Sequence, residues 1–200
     1  MARKPDYRKK DFIAKVSTTL FATRGYQNTT IEQIARESGY AVGTIYLYFD
    51  SKEEVLSTIL TDFVEAFVDN KMPSINKIED PVERFRLIIR MFLEATEENP
   101  ERAWVLATEL RKVIRADSVI YRGEMQKLFS IITAALKDLQ KVGLIHNDID
   151  LNHHTLMIHG TIETLGLYWN SEREKFPLID KYVDIADMVL FGLGTDKLRG

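Results

Sequence analysis

Residues 29–52, TTIEQIARESGYAVGTIYLYFDSK, allow few folds. Thr30 with Gln33 has the capping-box pattern, so a helix starts there. Ile34 and Ala35 supply its buried side. Ser38-Gly39 ends it, because glycine takes the left-handed conformation of a tight turn without steric penalty. A second helix is expected from Val42 to Phe49. Ile45 and Phe49 lie four residues apart and share one face, which must be buried. Thr44, Tyr46 and Tyr48 occupy the other side. Ser51 with Glu54 is a second capping box and opens the next helix.

Two helices joined by a short glycine-containing turn make a helix-turn-helix. In that motif the second helix enters the DNA major groove and the first crosses the backbone. The small residues Ala41, Gly43 and Thr44 let the start of the second helix approach base edges. Thr44 can exchange a hydrogen bond with a base or touch a thymine methyl. The hydroxyls of Tyr46 and Tyr48 and the ammonium of Lys52 suit phosphate oxygens, which position a protein without reading sequence. The plain rival is an ordinary helical pair whose tyrosines cap a core.

Gly25-Tyr26, Thr29-Thr30-Ile31, Ile34-Ala35, Gly39, Gly43-Thr44-Ile45-Tyr46, Tyr48-Phe49 and Ser51-Lys52-Glu53 follow one another in a fixed order and spacing. That series resembles the signature of TetR-family transcription regulators, and it covers the first quarter of the chain. The resemblance implies operator contacts by Thr30, Ala41, Val42, Gly43, Thr44, Tyr46, Tyr48 and Lys52. Val42 is the position expected to vary between operators.

Charge supports this reading only when the chain is divided. The 200 residues carry a net −3 overall. Residues 1–52 hold nine Lys/Arg against five Asp/Glu, a net +4, and the remainder is −7. A basic arm beside an acidic body suits a DNA-binding head on a larger domain. The expected boundary therefore falls at 1–52 and 53–200. There is no cysteine, which excludes disulfides and thiolate metal sites. The basic start MARKPDYRKKDF leads into no apolar run, and no stretch reaches the ~18 apolar residues of a membrane span. A cytoplasmic protein with no membrane partner is the expectation.

Periodicity makes the chain all-α, with about nine helices. The first runs from Asp6 or Tyr7 to Arg24 on a stripe of Phe12, Val16 and Leu20, widened by Ile13 and Phe21. The fourth runs from Ser51 to about Lys71, stopped by Pro73, with 73–80 as a loop. Asp80-Pro81-Val82-Glu83 starts the fifth, and Asn99-Pro100 breaks it. Further helices are expected over 101–115, 118–142, 151–170 and 178–193. Gly160 and Gly166 lie inside the eighth, where glycine costs about 1 kcal/mol relative to alanine. Close approach by another helix or a ligand would justify them. The last two helices are apolar on more sides than one chain can cover, which points to a homodimer through both.

The body carries no catalytic constellation. His146, His153, His154 and His159 lack the three- or four-residue spacing of a helical metal pair, so no metal and no cofactor are expected. Thr108-Glu109-Leu110-Arg111 and His159-Gly160-Thr161-Ile162-Glu163, with Trp169 beyond, resemble segments of the TetR-type regulators of fatty-acid degradation. That narrower resemblance implies a small-molecule effector, a long-chain acyl-CoA, held by an apolar tunnel and cations. The candidates are Phe63, Phe67, Ile89, Phe92, Trp104, Phe129 and Trp169 for the tunnel, with Arg111 and Arg115 for the phosphates. The arginines at 84, 86 and 90 form a second cationic group. A repressor released from double-stranded operator DNA by its effector is the reading. A multidrug-sensing regulator of an efflux gene shares the head. A helical binding protein or enzyme with an incidental helix-turn-helix lacks the catalytic group it would need.

Overall fold

The computed structural model describes residues 6–109, 119–172 and 176–196. Among them are nine α-helices and no strand, as the periodicity requires. The helices are α1 (Tyr7–Arg24), α2 (Ile31–Ser38), α3 (Val42–Ile45), α4 (Lys52–Ile75), α5 (Pro81–Glu98), α6 (Pro100–Thr108), α7 (Val119–Lys141), α8 (Leu151–Ser171) and α9 (Tyr182–Leu193). A single 3-10 turn, Ile179–Lys181, precedes α9. The chain divides into two compact units. Met1–Phe63 and Glu101–Arg122 form one, and Val64–Pro100 and Gly123–Gly200 form the other. Helix α4 passes from the first into the second.

In the first unit α1 packs on α2, and α2 on α3. Asp6 caps α1 by accepting the N–H of Arg8. The buried residues of α1 are Ile13, Ala14, Ser17, Thr18, Leu20 and Phe21, so Ile13, Leu20 and Phe21 lie inside as expected and Phe12 and Val16 do not. Phe12 is 45 % exposed and Val16 half-buried. The difference arises because Ser17 and Thr18 are buried despite their hydroxyls. Ser17 Oγ donates to Ile13 O at 2.8 Å and Thr18 Oγ1 to Ala14 O at 3.0 Å, so neither group is left unsatisfied.

Three boundaries differ from the expected ones. Helix α4 runs through Pro73 to Ile75. Proline removes one backbone donor there, but Asn76 N–H still closes on Met72 O at 2.9 Å and buried Ile75 anchors the turn. Helix α3 is four residues long, not eight. Beyond Ile45 the chain tightens into bonds from Leu47 N–H to Thr44 O and from Tyr48 N–H to Ile45 O. β-branched and aromatic residues dominate 44–49 and favour the helix weakly. The last helix is divided, with the 3-10 turn ahead of Tyr182.

The second unit is built on α5, whose Phe85, Ile88, Ile89, Met91, Phe92, Leu93 and Ala95 are all buried. Helices α8 and α9 both pack on it. Asp80 caps α5 with proline at its first position, and Asp150 caps α8 by accepting the N–H groups of Asn152 and His153. A Cβ on Gly166 would lie 3.3 Å from Thr96 Cγ2, so glycine lets α8 come close to α5. Gly160 has open space beside it. The end of α9 and the residues after it are fastened to the turn that follows α7 by Thr195 N–H to Leu144 O and His146 N–H to Leu193 O, both 3.0 Å.

Candidate nucleic-acid interface and ligand-binding body

The turn between α2 and α3 is set by three residues. Thr30 Oγ1 accepts Gln33 N–H at 3.3 Å, and Gln33 Oε1 accepts Thr30 N–H at 2.9 Å, which completes the capping box. Gly39, at φ 71°, ends α2 and turns the chain toward Ala41, the N-cap of α3. Ile45 and Phe49 are 0 % and 1 % exposed, so the inner face of the recognition segment is anchored in the core.

The expected DNA-binding residues lie on that segment, at the N-cap of α2 (Thr30) and at the start of α4 (Lys52). Thr30, Ala41, Gly43 and Tyr46 are exposed, and Val42, Thr44 and Tyr48 half-buried. The Tyr48 hydroxyl accepts the backbone N–H of Asp6 at 3.3 Å, which joins the start of α1 to the recognition segment. Lys9 and Lys10 lie over the rings of Tyr40 and Phe49, at 5.5 and 5.4 Å. Lys52 turns largely inward. Its Nζ is 2.7 Å from the carbonyl oxygens of both Tyr26 and Thr29, and 4.2 Å from the Tyr26 ring centre. Partial burial pushes its pKa down from the ordinary lysine value. The second capping box is looser than expected. Ser51 Oγ accepts Glu54 N–H, but the Glu54 carboxylate reaches the N–H of Asp50.

The sequence assigns no role to Leu47 and no partner to Glu109. Leu47 is 77 % exposed on the outer face. Its distance of four from Gly43 was the available signal. Glu109 is 7 % exposed, and its carboxylate accepts the N–H of Tyr26 at 3.2 Å. The Tyr26 residue is thus held at its N–H by Glu109 and at its carbonyl by Lys52. Thr19 Oγ1 also donates to Glu101 Oε2 at 2.7 Å, so both ends of α6 are hydrogen-bonded to α1 or the turn after it.

The expected effector residues fall in both units. In the first, Phe63 lies under the Arg102 guanidinium at 5.0 Å and Trp104 is half-buried. In the second, Phe67 and Phe92 meet with ring centres 4.5 Å apart and planes tilted by 44°, and Ile89 is fully buried. Phe129 meets His159 edge-on at 5.0 Å, and Trp169 Nε1 donates to Phe176 O at 3.0 Å. Arg111 and Arg115 lie outside the described residues. The second cationic group is tied to carboxylates: Arg84 to Asp138 at 2.8 Å, Arg86 to Asp187 at 2.6 Å and Arg90 to Glu94 at 2.9 Å. The first two pairs join α5 to α7 and to α9, and the third lies within α5. A cleft of about 320 Å³ opens beside Lys71, Ile75, Ile78, Arg90 and Met91, and none of the expected effector residues lines it.

Helices α8 and α9 leave an apolar face in solvent. Leu156, Met157 and Tyr168 of α8 are 52 %, 65 % and 55 % exposed, and Met188 and Phe191 of α9 are 57 % and 55 % exposed. Gly160, with its open surroundings, lies between the first group and Tyr168 along α8. Among the described residues no helix is long and apolar enough to cross a membrane, and no group of three His, Cys, Asp or Glu converges as a metal site would need.

Comparison with known proteins places this geometry. Residues 13–59 match the family model of the bacterial regulatory proteins of the tetR family, and residues 60–192 match the C-terminal region of YsiA-like proteins. The fatty acid metabolism regulator protein of Bacillus subtilis is 24% identical over 185 residues, 90% of this chain and 93% of that one. The fatty acid degradation regulator FadR from Bacillus halodurans superposes with a TM-score of 0.82 at 24% identity, over 92% of this chain and 98% of its own. FadR from Bacillus subtilis, solved in complex with stearoyl-CoA, gives 0.82 at 22% identity, over 94% and 100%. The chain belongs to the TetR family of bacterial regulatory proteins, and it is a ligand-responsive DNA-binding transcription regulator, not an enzyme.

Proposed function

We propose that this protein is a homodimeric repressor that a long-chain acyl-CoA releases from its operator. The observation that carries the proposal is the kinship with fatty acid metabolism regulators through head and body alike, 90% of this chain against 93% of the B. subtilis protein. On this reading Thr30, Ala41, Val42, Gly43 and Thr44 approach the bases or the adjoining backbone, and Tyr46 and Tyr48 bind phosphates. Lys52 adds positive charge there while its two carbonyl bonds hold the turn. The dimer forms through the apolar faces of α8 and α9. That presents two heads to successive major grooves, about 34–36 Å apart or a modest stretch of that. The acyl chain is held by Phe63, Phe67, Ile89, Phe92, Trp104, Phe129 and Trp169, and the phosphates of CoA by Arg111 and Arg115.

Release needs a difference in affinity, because a ligand that binds both states equally shifts nothing. A hundredfold preference for the released state supplies about 2.7 kcal/mol at saturation, enough to empty an operator bound with a modest margin. The test is a gel shift with the operator, titrated in parallel with stearoyl-CoA, free CoA and stearate. Release by stearoyl-CoA alone is expected. Equal binding in all three series removes the acyl-CoA reading. In the same assay Tyr48→Ala weakens all duplexes alike, whereas Thr44→Ala relaxes base preference.

A further inference from the structure

The recognition segment has a glycine that its own protein does not require. A Cβ at Gly43 would meet no heavy atom within 4 Å. Its φ is not positive, so the backbone does not demand glycine either. Inside a helix, glycine still costs about 1 kcal/mol relative to alanine. The room beside Gly43 is open to whatever lies outside the chain.

One turn further on stands Leu47. Gly43 and Leu47 are both exposed while Ile45 is buried, so the two lie on the outer side of the recognition segment. That side is opposite the anchored pair Ile45 and Phe49, which are 0 % and 1 % exposed. Leu47 is the most exposed leucine, isoleucine or valine among the described residues, at 77 %. Its backbone N–H is fixed on Thr44 O at 3.2 Å, so the side chain is presented from a defined turn. The segment therefore offers, in order, a gap, a small hydroxyl and a projecting aliphatic group.

We propose that Leu47 selects thymine in the operator by packing on its C5-methyl, with Gly43 leaving room for the neighbouring strand to come close. The proposal rests on the DNA-binding reading above and adds a base-selecting residue to it. In the major groove thymine alone presents a methyl, and an aliphatic side chain is its natural contact. Leucine has no hydrogen-bonding group, so its preference must be apolar. Thr44 is half-buried on this segment, whereas Leu47 is 77 % exposed and projects furthest from it.

The test starts from a random duplex library selected with the full-length protein. A selected duplex is then remade with each thymine replaced singly by deoxyuridine, which removes only the methyl. Loss of one buried methyl corresponds to about fourfold in affinity. The wild type is expected to lose that factor at one or two positions in each half-site. Leu47→Ala should weaken binding to the thymine duplex and show no further loss at those positions, with an unchanged salt slope because no phosphate contact is touched. Leu47→Met should keep the methyl dependence. Gly43→Ala should melt no lower than wild type yet bind the duplex more weakly.

Undiminished methyl dependence in Leu47→Ala overturns the assignment, as does its absence from the wild type at every position. Gly43→Ala binding as tightly as wild type overturns the close approach. A library that yields no bound duplex overturns the DNA-binding reading as well, so the two failures are separable.

Discussion

The two units finish their surfaces differently. In the first, buried polar groups find partners within the same chain. Ser17, Thr18 and Ser38 return their hydroxyls to carbonyls of their own helices, Thr29 Oγ1 donates to Gly25 O at 2.9 Å, and Glu109 takes the N–H of Tyr26. In the second, arginine–carboxylate pairs join the helices on one side, while α8 and α9 present Met157, Met188 and Phe191 to water on another. A small helical unit with little apolar area is made specific by satisfied polar groups. A larger one with apolar area in excess is completed by a second copy of itself, since a symmetric pair buries the same patch on both partners. On the proposed dimer the apolar face of α8 and α9 is covered by its copy, whereas the buried polar groups of the first unit need no second chain.

The largest expected effect follows from that contrast. Met157→Asp places a carboxylate on the apolar face proposed to pair with a second copy. Burying a methionine side chain stabilises by about 1.5–3 kcal/mol, and a two-fold axis doubles the loss to roughly 3–6 kcal/mol of dimer stability. Sedimentation at micromolar concentration should show a monomer that keeps its helical circular dichroism. Its operator affinity should fall, because one head must then bind without the other. A Met157→Asp protein that still sediments as a dimer would place the pairing surface elsewhere and break the contrast.

That face was legible in the sequence because apolar residues outnumbered the partners available to them. The capping box at Thr30 and the glycine turn at Gly39 were legible because both are local chemistry. What failed was the reading of residues whose partners are distant or whose polarity misleads. In α1 the periodicity finds Ile13, Leu20 and Phe21 but takes in Phe12 and Val16, because polar Ser17 and Thr18 occupy the buried side with hydroxyls closed on the helix itself. Pro73 was read as a stop, and a buried Ile75 two residues later carried the helix past it. Glu109 bonds to a residue 83 positions away, which no periodicity can show. The arginines of α5 read as a cationic group in the sequence, which cannot show that Asp138 and Asp187 neutralise two of them.

Glu109 sharpens the polar half of the contrast. Glu109→Ala leaves the N–H of Tyr26 without the acceptor it has in the native protein, at a residue only 6 % exposed. An unsatisfied buried donor costs about 1–3 kcal/mol. Hydrogen exchange at the Tyr26 amide should accelerate accordingly, and DNA binding should weaken at raised temperature before the dimer dissociates. Glu109→Gln retains a carbonyl oxygen in place and should recover most of the loss. Equal damage by alanine and glutamine would mean that the carboxylate charge matters and the acceptor does not.

Thr30→Ala gives the smallest effect and the finest test. It removes the oxygen that accepts Gln33 N–H, and loss of an N-cap costs about 1 kcal/mol. The reciprocal bond from Thr30 N–H to Gln33 Oε1 does not use the lost hydroxyl, so part of the box survives. Thr30→Ser keeps the acceptor and should restore stability. If Thr30 also touches operator phosphate, the two readouts separate: alanine lowers the melting point and DNA affinity together. Gln33→Ala, which damages the same box from the other side, lowers the melting point by a similar amount with a smaller loss of affinity. A Thr30→Ala protein that matches Gln33→Ala in both would confine Thr30 to capping and leave the DNA contact to the segment that follows.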